Sequence, residues 1–247
     1  MRSKNNNPFP ALLFILLLAS GCGKTGVDCF TNTGEVIMEQ RDLASFDSIE
    51  LYDNVDLFIS QSAEYKVVVE AGENIISGIE TTVENRLLVI RNTNSCNWVR
   101  SYNKPISVYI YIPYLWRIYY NSSGNVTSLT TFKVDSLKLE AWGGCGSINL
   151  DLDLKLGYFF LQQGTSDIHL KGKCGIVSMY TGDFGFLDAR EMYSGFVFVS
   201  SKSSNDCYVQ VHQGLDATIE SIGNIYYTGD PKEIQTKING SGKVIHF

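Results

Sequence analysis

"GGCGSINLDLDLKL", Gly143–Leu156, is the stretch whose reading decides the fold. Its glycines admit two interpretations. A glycine-rich loop can cradle phosphate, but a helix N-terminus must then come directly after it. The corner instead leads into Ile148, Leu150, Leu152, Leu154 and Leu156, alternating with Asn149, Asp151, Asp153 and Lys155. On a helix these apolar residues would scatter around the axis. On a strand they line one face and the polar set lines the other. The glycines then form a corner that needs backbone with positive φ.

The corner recurs. "SSGNV", "GCGSI", "GTSDI", "GDFGF", "SSNDC", "SIGNI" and "GSGKV" end at Val126, Ile148, Ile168, Phe186, Cys207, Ile225 and Val244. Successive separations are 22, 20, 18, 21, 18 and 19 residues. Each interval holds an alternating segment, a corner and a second alternating segment. One such unit cannot bury its own inner face, whereas stacking the next unit on it closes the core and pairs the backbone. The expected fold is all-β, a parallel β-helix (β-solenoid) with rungs of about 20 residues. A β-sandwich of regular hairpins is the alternative, since strands spaced about 8–12 residues apart also fit it.

Composition agrees with a β protein. The 247 residues include 22 Gly, 14 Tyr and 13 Phe, with 19% charged residues. The formal charge is −6, which argues against a nucleic-acid partner, because phosphate contacts demand a basic face.

The N-terminus reads as a targeting segment. Arg2 and Lys4 precede the apolar run Ala11–Ala19, which is too short to span a bilayer as a helix and suits a signal peptide. "LASGC" then resembles the lipobox of bacterial lipoproteins, which makes Cys22 the expected lipidation site, with Ala19 where the pattern usually has Leu. Loss of Arg2 and Lys4 from the 20 basic residues leaves 18 against 26 acids, a charge of −8. The expected division is a signal peptide over 1–21, a lipidated tether over 22–40 and one all-β domain over 41–247. Within it, 41–112 is a less regular strand region that continues into the solenoid and caps it, and 113–247 holds the repeated rungs. "TTVENRLLVI" (Thr81–Ile90) reads as two strands about a turn at Asn85–Arg86, and a short helical turn is expected near Glu73–Gly78. "GCGKT" (Gly21–Thr25) is not a phosphate loop, since Leu18 stands where the leading glycine should be.

"RDLASFDSIELYDNVDLFISQ" (Arg41–Gln61), "YKVVVEAGENI" (Tyr65–Ile75), "VENRLLVIRN" (Val83–Asn92) and "CNWVRSYNKPISVYI" (Cys96–Ile110), with the glycine corners after them, resemble the "putative auto-transporter adhesin, head GIN domain" family. The resemblance covers nearly the whole chain after Cys22. It implies a β-helix-like fold outside the cytoplasm and an adhesin-like role, and it supplies no site residues. Arg86 stands where the family often has Gly, which leaves the turn type open.

With Cys22 assigned to lipid, five cysteines remain. An exported compartment permits disulfides, and Cys29 with Cys96 is the expected pair, pinning the tether to the fold. Cys207 shares the inward side of its strand with Val209 and Val211. His169, His212 and His246 are dispersed, and the first two face outward; with no C-x₂-C pair, no metal and no cofactor is expected.

Two surfaces could carry chemistry. Asp151 and Asp153 lie about 6.6–7 Å apart on one strand face, a spacing near that of inverting glycosidases, but only Lys171 stands nearby on the next rung. A solvated acidic face is the preferred reading. Outward aromatics are the better candidates: Tyr120, Trp142 and Tyr180 in one column, with Gln162 between the last two, and Tyr208 with Tyr226 in a second. Such columns suit sugar rings or a protein surface. The expected function is a non-enzymatic, adhesin-like binding module for a glycan or an envelope or host protein, held by its N-terminal lipid to the membrane, the outer membrane being the expected one. A glycan-active β-helix enzyme and a protein-only envelope scaffold are the alternatives.

Overall fold

The computed structural model describes residues 32–95 and 105–247. Cys22, Cys29 and Cys96 lie outside the described residues, as do the segments expected to be signal peptide and most of the tether. The fold is a β-solenoid of about six turns with rungs near 20 residues. The sandwich alternative fails because the rungs pair in parallel, whereas hairpins pair antiparallel.

Five long strands carry the body: β10 (Phe132–Gly144), β11 (Ser147–Leu161), β12 (Asp167–Thr181), β13 (Phe186–Ser201) and β14 (Cys207–Ile219). Each is most of one turn. In β11 the buried residues are Ile148, Leu150, Leu152 and Leu154, then Gly157, Phe159 and Leu161. The inward parity changes at Lys155–Leu156, where the chain bends from one face to the next. Leu156, expected to point inward, is therefore exposed on the outer surface.

Two buried columns run the length of the molecule. The first is Leu88, Ile49, Ile118, Leu139, Phe159, Met179, Val199 and Ala217, in register from strand to strand. The second is Val108, Leu57, Val126, Ile148, Ile168, Leu187, Cys207 and Ile225. Leu187 holds the place expected of Phe186. Leu187 stands as many positions after Thr181 as Cys207 does after Ser201, so the inward place falls on Leu187 and Phe186 stays on the outer side beside His169.

The amino-terminal strands are not stacked in chain order. β2 (Ser48–Asp53) lies between β6 (Leu87–Asn92) and β8 (Arg117–Ser122), and β3 (Asp56–Gln61) lies between β7 (Ser107–Ile112) and β9 (Val126–Ser128). The chain lays down one rung, builds outward from it, and returns to its other side. Beyond that outer rung the pairing turns antiparallel: β5 (Ile79–Glu84) on β6, β4 (Lys66–Gly72) on β7, and β1 (Val36–Arg41) on β4. A 3₁₀ turn at Ile76–Gly78 sits where a short helical turn is expected.

The hairpin at Asn85–Arg86 has φ of 49° and 64°, the signature of a type I′ turn. An arginine at positive φ is strained, and two contacts hold it. Its carbonyl accepts the Asp47 backbone N–H at 3.0 Å, and its Nε donates to Asp47 Oδ2 at 2.7 Å. At the other end, β14 carries β15 (Ile225–Thr228) and β16 (Glu233–Ile238), and β15 carries β17 (Val244–His246).

Candidate functional site: an aromatic outer face

The corner that opens β11 is built by close backbone approach. Gly144 has φ of 97° and lies against the Ser122 carbonyl, and a Cβ on Gly146 would overlap the Gly124 carbonyl oxygen. Tyr120 explains why this corner is tight. Expected outward, it is fully buried. Its hydroxyl donates to the Gly124 carbonyl at 2.7 Å and accepts the Gly146 N–H at 3.0 Å. Burial, opposed by the Gly146 N–H, pushes the phenol up to about 12. Tyr120 therefore clamps two successive corners and presents nothing to a ligand.

At both ends of the solenoid the residue before the first inward position forms a second corner device. Asp56 Oδ1 accepts Asn125 N–H at 2.7 Å, and Asn125 Oδ1 accepts Ser147 N–H at 3.0 Å. Asp206, Asn224 and Lys243 repeat the pattern at 2.8 and 2.9 Å. The sequence holds this signal, an Asp or Asn directly before Leu57, Val126, Cys207 and Ile225, but a reading of the corners as glycine turns passes over it.

Trp142 sits at a bulge, between Ala141, which pairs with Tyr120, and Gly143, which pairs with Asn121. It is exposed and in no column with Tyr180. Tyr180 instead continues Tyr119, Glu140 and Phe160. Beside that column run Lys138, Tyr158, Ser178 and Phe198, and next to them Ser136, Leu156, Ile176 and Phe196. Leu156, Ile176, Phe196 and Phe198 are 37, 43, 39 and 49% exposed. The outer surface over β10–β13 is thus a contiguous apolar face in the middle of the solenoid, larger than the columns expected from sequence. Its signal is present in "LGYFFL" and "GFVFV", but the side each residue faces cannot be assigned without the bend at Leu156.

Two clefts flank the Leu156–Ile176–Phe196 ridge. One, of about 500 Å³, lies among Trp116, Ser136, Lys138, Leu156, Tyr158 and Phe160. The other, of about 460 Å³, is walled by Ile176 and Phe196 on one side and by Asp153, Lys173 and Tyr193 on the other, and includes Gly175 and Gly195. Tyr193 stacks on His212, with ring centroids 4.0 Å apart. Toward the amino-terminal end the surface turns charged: Arg117 donates to Glu140 at 2.8 Å and lies 3.7 Å from Glu50, and Lys138 lies 3.0 Å from Glu140. Burial raises the Glu140 carboxyl, but the hydrogen bonds from Lys138 and Arg117 outweigh it and hold it below the usual range.

A second aromatic cluster occupies the other face. Tyr208 and Tyr226 stack at 5.0 Å with an interplanar angle of 12°, in register as expected, and Phe247 packs edge-on against both. Arg190 caps Tyr208 at 4.5 Å and is held by Asp188.

The two carboxylates considered for chemistry are each met by a lysine on the next rung: Asp151 by Lys171 at 3.4 Å and Asp153 by Lys173 at 3.2 Å. They are links in charged ladders between rungs. Among the described residues no cluster of three or more His, Cys, Asp or Glu could hold a metal ion, and no helix is long and apolar enough to cross a membrane.

These features define a β-solenoid that presents an extended aromatic surface. The chain belongs to the family described as "Putative auto-transporter adhesin, head GIN domain", whose model matches residues 45–231. Among solved structures it is similar to a "putative adhesin" from Bacteroides fragilis (20% identity, 86% of this chain and 97% of that one, TM-score 0.79). It is also similar to two proteins of Parabacteroides distasonis. One is described as a putative adhesin (18% identity, 87% and 98% covered, TM-score 0.68). The other is described as a putative lipid binding protein (20% identity, 88% and 99% covered, TM-score 0.68). At these identities the likeness establishes the fold. No curated protein matches the chain.

Proposed function

We propose that this protein is an envelope-anchored binding module that holds glycan on the outer face of β10–β13. The observation that carries the reading is the exposed ridge of Leu156, Ile176 and Phe196 between two clefts rimmed by aromatic and charged residues. A soluble monomer rarely exposes so continuous an apolar patch without a partner for it. A pyranose has an apolar C–H face that stacks on Tyr158, Phe160 or Tyr193, and hydroxyls that Lys138, Ser136, Asp153 and Lys173 can reach. The family's adhesin description and the lipobox-like "LASGC" support presentation at the cell envelope through acylated Cys22, with Trp142, Tyr208 and Tyr226 as secondary contacts. A protein surface could use the same aromatic face.

The test is a panel of bacterial and host polysaccharides probed with wild type and with the double variant Tyr158→Ala/Phe198→Ala. The expected result is capture of at least one glycan, weakened tenfold or more in the variant at unchanged melting temperature. Glycan capture that the variant retains would remove this face. Absence of glycan capture together with a stable envelope protein partner would move the assignment to the scaffold reading. Fractionation of Cys22→Ser cells checks the anchor: the variant should leave the membrane fraction.

A further inference from the structure

We infer that the carboxy-terminal rung is a self-docking edge through which two copies join tip to tip. Solenoids need their end rungs covered, since an open rung exposes unpaired backbone and unfinished core. The amino-terminal end is capped by the antiparallel strands β5, β4 and β1, and over the buried Val69 and Val67 the outermost strand β1 sets Glu39 and Arg41, which pair with each other. The carboxy-terminal end differs. β16 pairs with β14 on one side, and among the described residues no strand pairs with its other side. Its inward positions continue the core: Ile234 stands on Leu215, Thr236 on Ala217 and Ile238 on Ile219. Those three β14 residues are buried, yet Ile234 and Ile238 are 47 and 51% exposed.

The occupant that fits is a second copy of the same strand. Place "EIQTKI", Glu233–Ile238, antiparallel to itself with Thr236 on the two-fold axis. Ile234 then faces Ile238 of the other copy twice, and Thr236 faces Thr236, all on the inward side. β-branched pairs of this kind are the favourable cross-strand contacts. On the outer side Glu233 lies diagonal to Lys237 of the other copy, again twice, so the charges are self-complementary. A two-fold axis normal to the sheet keeps the inward sides of both copies on one shared core. It also sends the two amino-terminal ends to opposite ends of the dimer. If Cys22 is acylated, as proposed above, that geometry joins two opposed membranes rather than two copies on one; the dimer itself does not depend on the anchor or on the glycan face.

The experiment is sedimentation of the full chain in detergent, with Glu233→Lys, Lys237→Glu and Ile234→Lys. Wild type should show a concentration-dependent monomer–dimer equilibrium, and Ile234→Lys should be monomeric with an unchanged circular dichroism spectrum. Each charge variant alone places like charges on the diagonals and should weaken dimerisation roughly tenfold. An equimolar mixture of the two restores opposite charges on both diagonals and should recover the dimer. A monomeric wild type, a dimer that survives Ile234→Lys, assemblies that grow beyond two copies, or a mixture no better than either variant alone would each overturn the proposal.

Discussion

At Tyr120 an aromatic ring that reads as an outward residue turns inward because its hydroxyl has two buried backbone partners waiting, Gly124 C=O and Gly146 N–H. Removing that oxygen leaves both groups buried and unpaired, which costs about 1–3 kcal/mol. Tyr120→Phe should therefore lower stability by that amount in urea unfolding while leaving the circular dichroism spectrum unchanged; an equal or higher midpoint would show that the clamp carries no stability. The cysteines give a second check at this scale. Burial pushes the Cys174 thiol up to about 11 and the Cys207 thiol up to about 12, whereas Cys145 is exposed in its corner. Thiolate is the reactive form, so of these three only Cys145 should be alkylated in the native protein at pH 8, as read by peptide mass mapping. Labelling of Cys207 without denaturant would contradict its place in the core column.

Strands and rungs obey a simple alternation, broken at bends. Period two in Ile148–Leu154 identifies β11 directly, and the glycine corners locate the turns between rungs. Leu156 and Phe186 show what alternation cannot carry: one residue of slip at a bend or within a corner reverses which side of the sheet everything beyond it faces. The column expected from Tyr120, Trp142 and Tyr180 fails for that reason, while Tyr208 and Tyr226, with no bend between corner and ring, stack where alternation places them. Charge couples neighbouring strands as well. Glu140 is held below the usual carboxylate range despite burial by Lys138 and Arg117. A carboxylate with a depressed folded pKa contributes stability above its unfolded value, near 4, and loses it as pH falls through the folded value. Glu140→Gln should cost about 1–3 kcal/mol at pH 7 and progressively less as the pH drops below about 4, measured by urea unfolding across that range. A penalty independent of pH would mean the carboxyl acts by packing alone.

Across the whole molecule, the later rungs are legible in the sequence because each stacks on the one before it. The amino-terminal rungs are harder, since β2 and β3 are sandwiched between strands that come later in the chain. The Asp56–Asn125 corner bond spans 69 residues, and no local pattern announces it. The outcome is a rod with two different long faces. One carries the Leu156–Ile176–Phe196 ridge and its clefts; the other carries the Tyr208–Tyr226–Phe247 stack. A polysaccharide is itself extended, and a solenoid offers it repeated contacts at the spacing of strands, about 4.8 Å per rung. On the proposed glycan reading, several weak stacking contacts in line would add up to firm attachment.

The most direct test of that claim is hydroxyl-radical footprinting of the protein with and without a captured glycan. The account predicts protection of Tyr158, Phe160, Tyr193, Phe196 and Phe198, with Tyr208 and Tyr226 less affected. Protection confined to Tyr208, Tyr226 and Phe247, or none on either face despite binding, would contradict it.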